Sequence, residues 1–171
     1  RVTISTSGLA PQILKLAEHL NVSLAISLHA PFDDLRDELV PINRIHPIES
    51  LLDACWFYAK RQNLKNVTFE YTLLKNVNDR PEHAKQLVKL LQNQPAKVNL
   101  IPFNKFPGVV YEPTPADQIN EFRNILLESG IMTITRTTRG DDIQAACGQL
   151  SGTVNNLAKK SLGQKLKKTL N

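Results

Sequence analysis

At 171 residues the chain is long enough for one domain with a real core and too short to suggest two. Its 42% hydrophobic and 22% charged content is ordinary for a globular protein, and no apolar run approaches the ~18 residues that a membrane span needs. The net charge of +5 sits at one end: five lysines from Ser151 onward (Lys159, Lys160, Lys165, Lys167, Lys168) have no acid among them, and the preceding body is neutral.

The first segment, Val2 to Ser5, is short, apolar and β-branched, which predicts a strand. It starts so abruptly after Arg1 that the chain is expected to be part of a longer one. Pro11 to Leu20 then predicts a helix, with Ile13, Leu14, Leu16, Ala17 and Leu20 on one stripe and Pro11 in the first turn. Ser23 to Leu28 reads as the second strand. Ile48 to Gln62 reads as a helix, through Leu51, Leu52, Cys55 and Ala59. Val67 to Leu74 is the third strand, and Pro81 to Gln92 a helix presenting Ala84, Leu87, Val88 and Leu91. Val98 to Ile101 is the fourth strand. Pro115 to Ser129 carries Ile119, Phe122, Ile125 and Leu126 and stops at Gly130, a good C-terminal cap. Met132 to Thr135 is the fifth strand, and from Leu157 a lysine-rich helix is expected, with Leu162, Leu166 and Leu170 at i+4 spacing.

Strand and helix alternating at this spacing predict an α/β fold of βα units around a parallel sheet or barrel. Five strands do not close an eight-stranded barrel, so a partial barrel entered partway fits the count. In such barrels the loops after the strands carry the chemistry. Here those loops read Ser5-Thr6-Ser7-Gly8; Ser27-Leu28-His29-Ala30-Pro31; Lys75-Asn76-Val77-Asn78-Asp79; Pro102-Phe103-Asn104 through Gly108; and Arg136-Thr137-Thr138-Arg139 through Cys147-Gly148. Hydroxyls, amides and an imidazole at one rim suit a ligand rich in hydrogen-bonding groups, although the same residue types also simply make turns.

The single residues leave alternatives open. His29 either bonds a ligand or satisfies a nearby carbonyl, and the other histidines show no metal spacing. Cys55 falls on an apolar helical stripe beside Trp56 and is expected in the core. Cys147 lies among small residues after Arg136 and Arg139, which suits either a reactive thiolate or a small buried thiol. Two distant cysteines make neither a disulfide scaffold nor a self-contained zinc site, and they point to a reducing, cytoplasmic setting. The basic tail fits an RNA-phosphate contact or a solubilising helix equally well.

Four ordered blocks together carry a resemblance. Ser5-Thr6-Ser7-Gly8; Ser27-Leu28-His29-Ala30-Pro31 with Val40-Pro41-Ile42-Asn43; Asn99-Leu100-Ile101-Pro102-Phe103-Asn104 with Phe106-Pro107-Gly108; and Arg139-Gly140-Asp141-Asp142 with Cys147-Gly148-Gln149-Leu150 resemble the radical S-adenosylmethionine (SAM) RNA adenine C2 methyltransferases. The resemblance implies that residues 1–152 are the C-terminal part of a partial TIM-type radical-SAM barrel and that 153–171 form the basic helical tail. It implies that Ser5, Ser27, Leu28, His29 and Asn104 hold SAM, and that Cys147 is methylated during catalysis. It further implies ribosomal and transfer RNA as substrates, a [4Fe-4S] cluster and an electron donor that reduces it. In the implied mechanism a radical formed from a second SAM takes hydrogen from the methyl on Cys147, and the resulting carbon radical adds to adenine. The family's C-x-x-x-C-x-x-C cluster motif is missing from this chain, so this segment alone is expected neither to hold the cluster nor to turn over. The rival expectations are methylation at adenine C8, by the sister activity, and a non-catalytic RNA-binding module that uses the lysine tail.

Overall fold

A computed structural model describes residues 2–136. Five strands, β1 (Thr3–Thr6), β2 (Ser23–Ser27), β3 (Val67–Leu73), β4 (Ala96–Pro102) and β5 (Met132–Thr135), form one sheet in the order β1-β2-β3-β4-β5. All four pairings are parallel, with Ser5 beside Ala25, Ser27 beside Glu70, and Glu70 beside Asn99. The helices are α1 (Ala10–His19), α2 (Asp33–Leu39), α3 (Ile48–Arg61), α4 (Pro81–Leu91) and α5 (Ala116–Glu128), with a 3-10 turn at Pro41–Arg44 after α2.

Sequential strand order with parallel pairing means that each crossover moves one place in the same direction. Since such crossovers are right-handed, successive helices fall on one face of the sheet, which is the winding of a barrel segment rather than of an open doubly wound sheet. Burial along β3 shows this: Val67, Phe69, Tyr71 and Leu73 have no exposed surface, while Thr68, Glu70 and Thr72 between them are only half-buried. The period of two therefore separates a helix-covered face from an open one. The core between sheet and helices unites Leu24, Ile26, Phe69, Val98 and Leu100 with Ile13, Leu51, Cys55, Leu87, Phe122 and Leu126.

The expected strands and four of the helices lie where the periodicity puts them, within one or two residues of each end. The stripe predicted for α1 is narrower than expected. Ile13 and Ala17 are buried, but Leu14 and Leu20 remain 41% and 49% exposed, because only one side of the helix meets α3 and the sheet. Gly130 has φ +79 and ends α5 as its position suggests.

The 3-10 turn and α2 were not anticipated. The sequence of α2 is Asp-Asp-Leu-Arg-Asp-Glu-Leu, too short and too acidic to show an apolar stripe. Its inward-facing residue is a charged one, Arg36, with no exposed surface at all. The expected lysine-rich tail helix, the residue 152 boundary and Cys147 all lie outside the described residues.

Candidate functional site

Parallel strands direct all their carboxyl ends to one rim, and the half-covered face of the sheet opens below it. On β1 and β2, Ser5 pairs with Ala25 and Ser27 follows two residues later, so both hydroxyls leave the open face on neighbouring strands. Ser27 is level with Glu70 on β3, which is level with Asn99 on β4. The rim thus brings Ser5, Ser27 and His29 onto adjoining strands. Asn104 stands further along it, exposed in the loop after β4. That loop is framed by an ion pair between Lys105 and Glu112 and by the tilted rings of Phe103 and Phe106.

Leu28 is a different matter. Its side chain is fully buried in the core, its N–H donates to the Glu70 carbonyl (3.0 Å) and its own carbonyl accepts from Arg36 (3.1 Å). Its side chain is therefore committed to the core, and its main-chain groups are bonded within the protein.

His29 adopts a left-handed backbone, φ +58, which is uncommon outside glycine and asparagine. Three bonds hold it there: its N–H donates to the Glu70 carbonyl (3.3 Å), its carbonyl accepts from Asn78 Nδ2 (2.8 Å), and its Nδ1 accepts the Thr72 N–H (3.0 Å). An Nδ1 that accepts fixes the neutral imidazole with its proton on Nε2, which makes Nε2 a donor aimed away from β3. Burial, and secondarily the positive charge of Arg36, lower the His29 pKa to about 4. The ring is therefore an uncharged donor throughout the neutral range.

This has a consequence for stability. The folded state resists protonating His29 while the unfolded chain accepts a proton near pH 6.5, so stability is full above that value and declines as pH falls towards 4. Unfolding by urea at pH 5 is expected to show about 2 kcal/mol less stability than at pH 7 from this group. His29→Asn, which tolerates the same backbone, should flatten that dependence.

Beneath the rim lie two polar knots. In one, Arg36 donates from Nε to the Leu28 carbonyl, from Nη1 to Asn43 Oδ1 (2.8 Å), and from Nη2 to the carbonyls of Ser7 (2.7 Å) and Ser27 (3.2 Å). Asn43 in turn donates to Asp33 Oδ1 (2.9 Å) and Asp37 Oδ1 (2.7 Å). In the other, Asn78 has no exposed surface. It accepts the Leu74 N–H (2.7 Å) and donates to the carbonyls of His29 and Thr72, while its own carbonyl accepts from the Tyr71 hydroxyl (2.7 Å). Asp79, also buried, receives the Thr114 hydroxyl (2.9 Å) and the Asn76 N–H (2.9 Å). The rim amides and carboxylates of residues 75–79 are thus chiefly turn-makers. The sequence signal for Arg36 is slight: an arginine between Leu35 and Asp37 in an otherwise acidic segment, seven residues after His29.

Cys55 has no exposed surface, and burial pushes its thiol up to about 12, so it is an inert core residue, as its place on the apolar stripe of α3 suggests. Among the described residues no cluster of three His, Cys, Asp or Glu side chains is placed to hold a metal, and no helix is long and apolar enough to cross a membrane.

A singly wound parallel sheet with its polar residues at the carboxyl rim is a segment of a partial TIM-type barrel, and solved radical-SAM enzymes share it. A radical SAM methyltransferase from Sphaerobacter thermophilus superposes with a TM-score of 0.83 at 48% identity, over 87% of this chain and 44% of that one. A domain of a pyruvate-formate lyase-activating enzyme from Bacteroides vulgatus shares the fold, with a TM-score of 0.63 at 16% identity over 79% of this chain and 80% of that one. The chain is homologous along nearly its whole length to the dual-specificity RNA methyltransferases RlmN. It is 53% identical to that of Alcanivorax borkumensis over 163 residues and 54% identical to that of Pseudomonas entomophila over 162. In both cases 94% of this chain is matched, yet it spans only 43% of the relative's length. No family model matches the chain.

Proposed function

We propose that this segment supplies the SAM-binding rim and the methyl-carrying thiol of a cytoplasmic RNA methyltransferase that modifies adenine at C2 in large-subunit ribosomal RNA and in transfer RNA. The observation that carries the reading is identity of more than half over 94% of the chain to the RlmN enzymes.

The rim's chemistry suits SAM. Ser5 and Ser27 offer hydroxyls, and His29 offers a neutral Nε2 donor at a position held rigid from below. Such convergent polar groups on a rigid rim are what a nucleoside ligand needs for orientation. SAM, when bound, supplies an electrophilic methyl group. Asn104 lies beyond β4, on the far side of the same rim from Ser5, which suits closing the ligand from the other end.

An iron–sulfur cluster does not fit the residues present. The one described cysteine, Cys55, is sealed in the core, and no metal-ligand cluster exists among the described residues. Its ligands are proposed to come from the part of the longer protein outside this segment.

Cys147 is the proposed methyl carrier. A carbon between two ring nitrogens is electron-poor and does not attack a sulfonium methyl directly, whereas a thiolate does so readily. The lysine tail is proposed to contact RNA phosphates.

The test is made on the full-length protein, purified without oxygen and digested for mass spectrometry. A methyl group on the peptide that contains Cys147 is the expected result. An unmodified Cys147 in an enzyme that still methylates RNA overturns the carrier role. Nucleoside analysis of the product separates 2-methyladenine from the 8-methyladenine of the sister activity.

A further inference from the structure

Arg36 is a charged group placed where charge is costly. Its side chain has no exposed surface, it makes no ion pair among the described residues, and burial pulls its pKa down while Asp33 and Asp37 pull it back. Four of its hydrogen bonds are nevertheless satisfied, three by main-chain carbonyls at the ends of two neighbouring strands: Ser7 just after β1, Ser27 at the end of β2 and Leu28 just after it. Asn43 takes the other and relays it to the carboxylates of Asp33 and Asp37. The fit is close. At Gly8, which has φ +118, a Cβ would lie 3.1 Å from Arg36 Nη2.

From this geometry we infer that Arg36 is the positioning residue of the SAM rim, fixing the loop that follows Ser5 against the turn that carries Ser27 and His29. The inference rests on the proposed SAM-binding reading of that rim. A planar guanidinium donates in several fixed directions at once, which lets one side chain reach both loops and the Asn43 relay. An ammonium has the charge but not the reach, so lysine cannot reproduce the clamp. A hydrophobic residue of similar volume would fill the space but make none of the bonds to the Ser7, Ser27 and Leu28 carbonyls, of which that of Leu28 keeps a second donor, the Ala30 N–H. The acidic helix α2 then has a purpose that its own packing does not supply: it delivers Arg36 beneath the rim, and the 3-10 turn delivers Asn43 to orient it.

The experiment compares wild type, Arg36→Lys and Asn43→Ala in the full-length holoenzyme, measuring SAM affinity by calorimetry and melting temperature on the same preparations. A reference variant, Leu126→Ala on α5, lowers stability from the core without touching the rim. Arg36→Lys is expected to weaken SAM binding by about tenfold or more, and Asn43→Ala by about threefold, each beyond what Leu126→Ala does at a comparable loss of melting temperature. Should Arg36→Lys fail to fold, Asn43→Ala carries the comparison alone. SAM affinity within twofold of wild type in a folded Arg36→Lys protein, or weakening matched by Leu126→Ala, overturns the positioning role and leaves the reading of the rim intact. A wild-type holoenzyme that binds no SAM overturns the rim reading itself, and the inference with it.

Discussion

Replacing Cys147 by alanine in the full-length enzyme is expected to reduce RNA methylation by on the order of 10³-fold or more while leaving SAM binding within about twofold of wild type. The chemistry sets the size of the first effect. If the methyl group must pass through a protein thiol, no other side chain at that position offers a polarisable nucleophile at neutral pH. Serine should therefore fail as completely as alanine, since its hydroxyl stays protonated far above the pH at which a thiol ionises. The second effect follows from the fold. The hydroxyls and imidazole proposed to orient SAM belong to β1, β2 and the turn after β2, all fixed by residues 5–78. Activity assays and calorimetry on one preparation check both. Methylation that survives in Cys147→Ala removes the carrier role, and parallel loss of SAM binding shows that the cysteine is part of the binding surface instead.

Asn78→Ala should be among the most destabilising changes in the segment, by about 3–5 kcal/mol. One amide satisfies three main-chain groups, the Leu74 N–H and the carbonyls of His29 and Thr72, at 2.7–2.8 Å and with no exposed surface of its own. Alanine leaves all three unpaired beside a small void, each costing about 1–3 kcal/mol, and partial entry of water holds the total below the simple sum. Asn78→Asp is expected to be at least as damaging. A carboxylate still accepts the Leu74 N–H, but it cannot donate to two carbonyls and repels them instead. Tyr71→Phe, which removes the single bond to the Asn78 carbonyl, should cost only about 1 kcal/mol. Denaturant unfolding of the three variants gives the order. Because the Asn78 amide also holds His29 in its left-handed conformation, the folded fraction of Asn78→Ala should bind SAM more weakly as well.

The chain itself determined the strands, the four long helices and the parallel winding. These rest on local periodicity: period two on β3, an apolar stripe on α3, α4 and α5, and Gly130 where a left-handed cap is needed. It also pointed to the rim, because Ser5, Ser27 and His29 directly follow strand patterns, and parallel strands carry such residues to one end. It placed Cys55 correctly in the core for the same reason. What it did not show was α2 and the role of Arg36 and Asn78. Their partners are main-chain carbonyls and amides from other loops, up to 49 residues away in sequence, and a backbone acceptor leaves no mark on the residue that carries it. An arginine among aspartates reads as a solvated surface until the fold turns it inward. Leu28 illustrates the same limit: it belongs to a motif whose neighbours face the rim, but the pleat sends its own side chain into the core. Only the tertiary structure decides which members of a motif face the rim and which turn into the core or brace the others, because that division depends on which loops the sheet brings together.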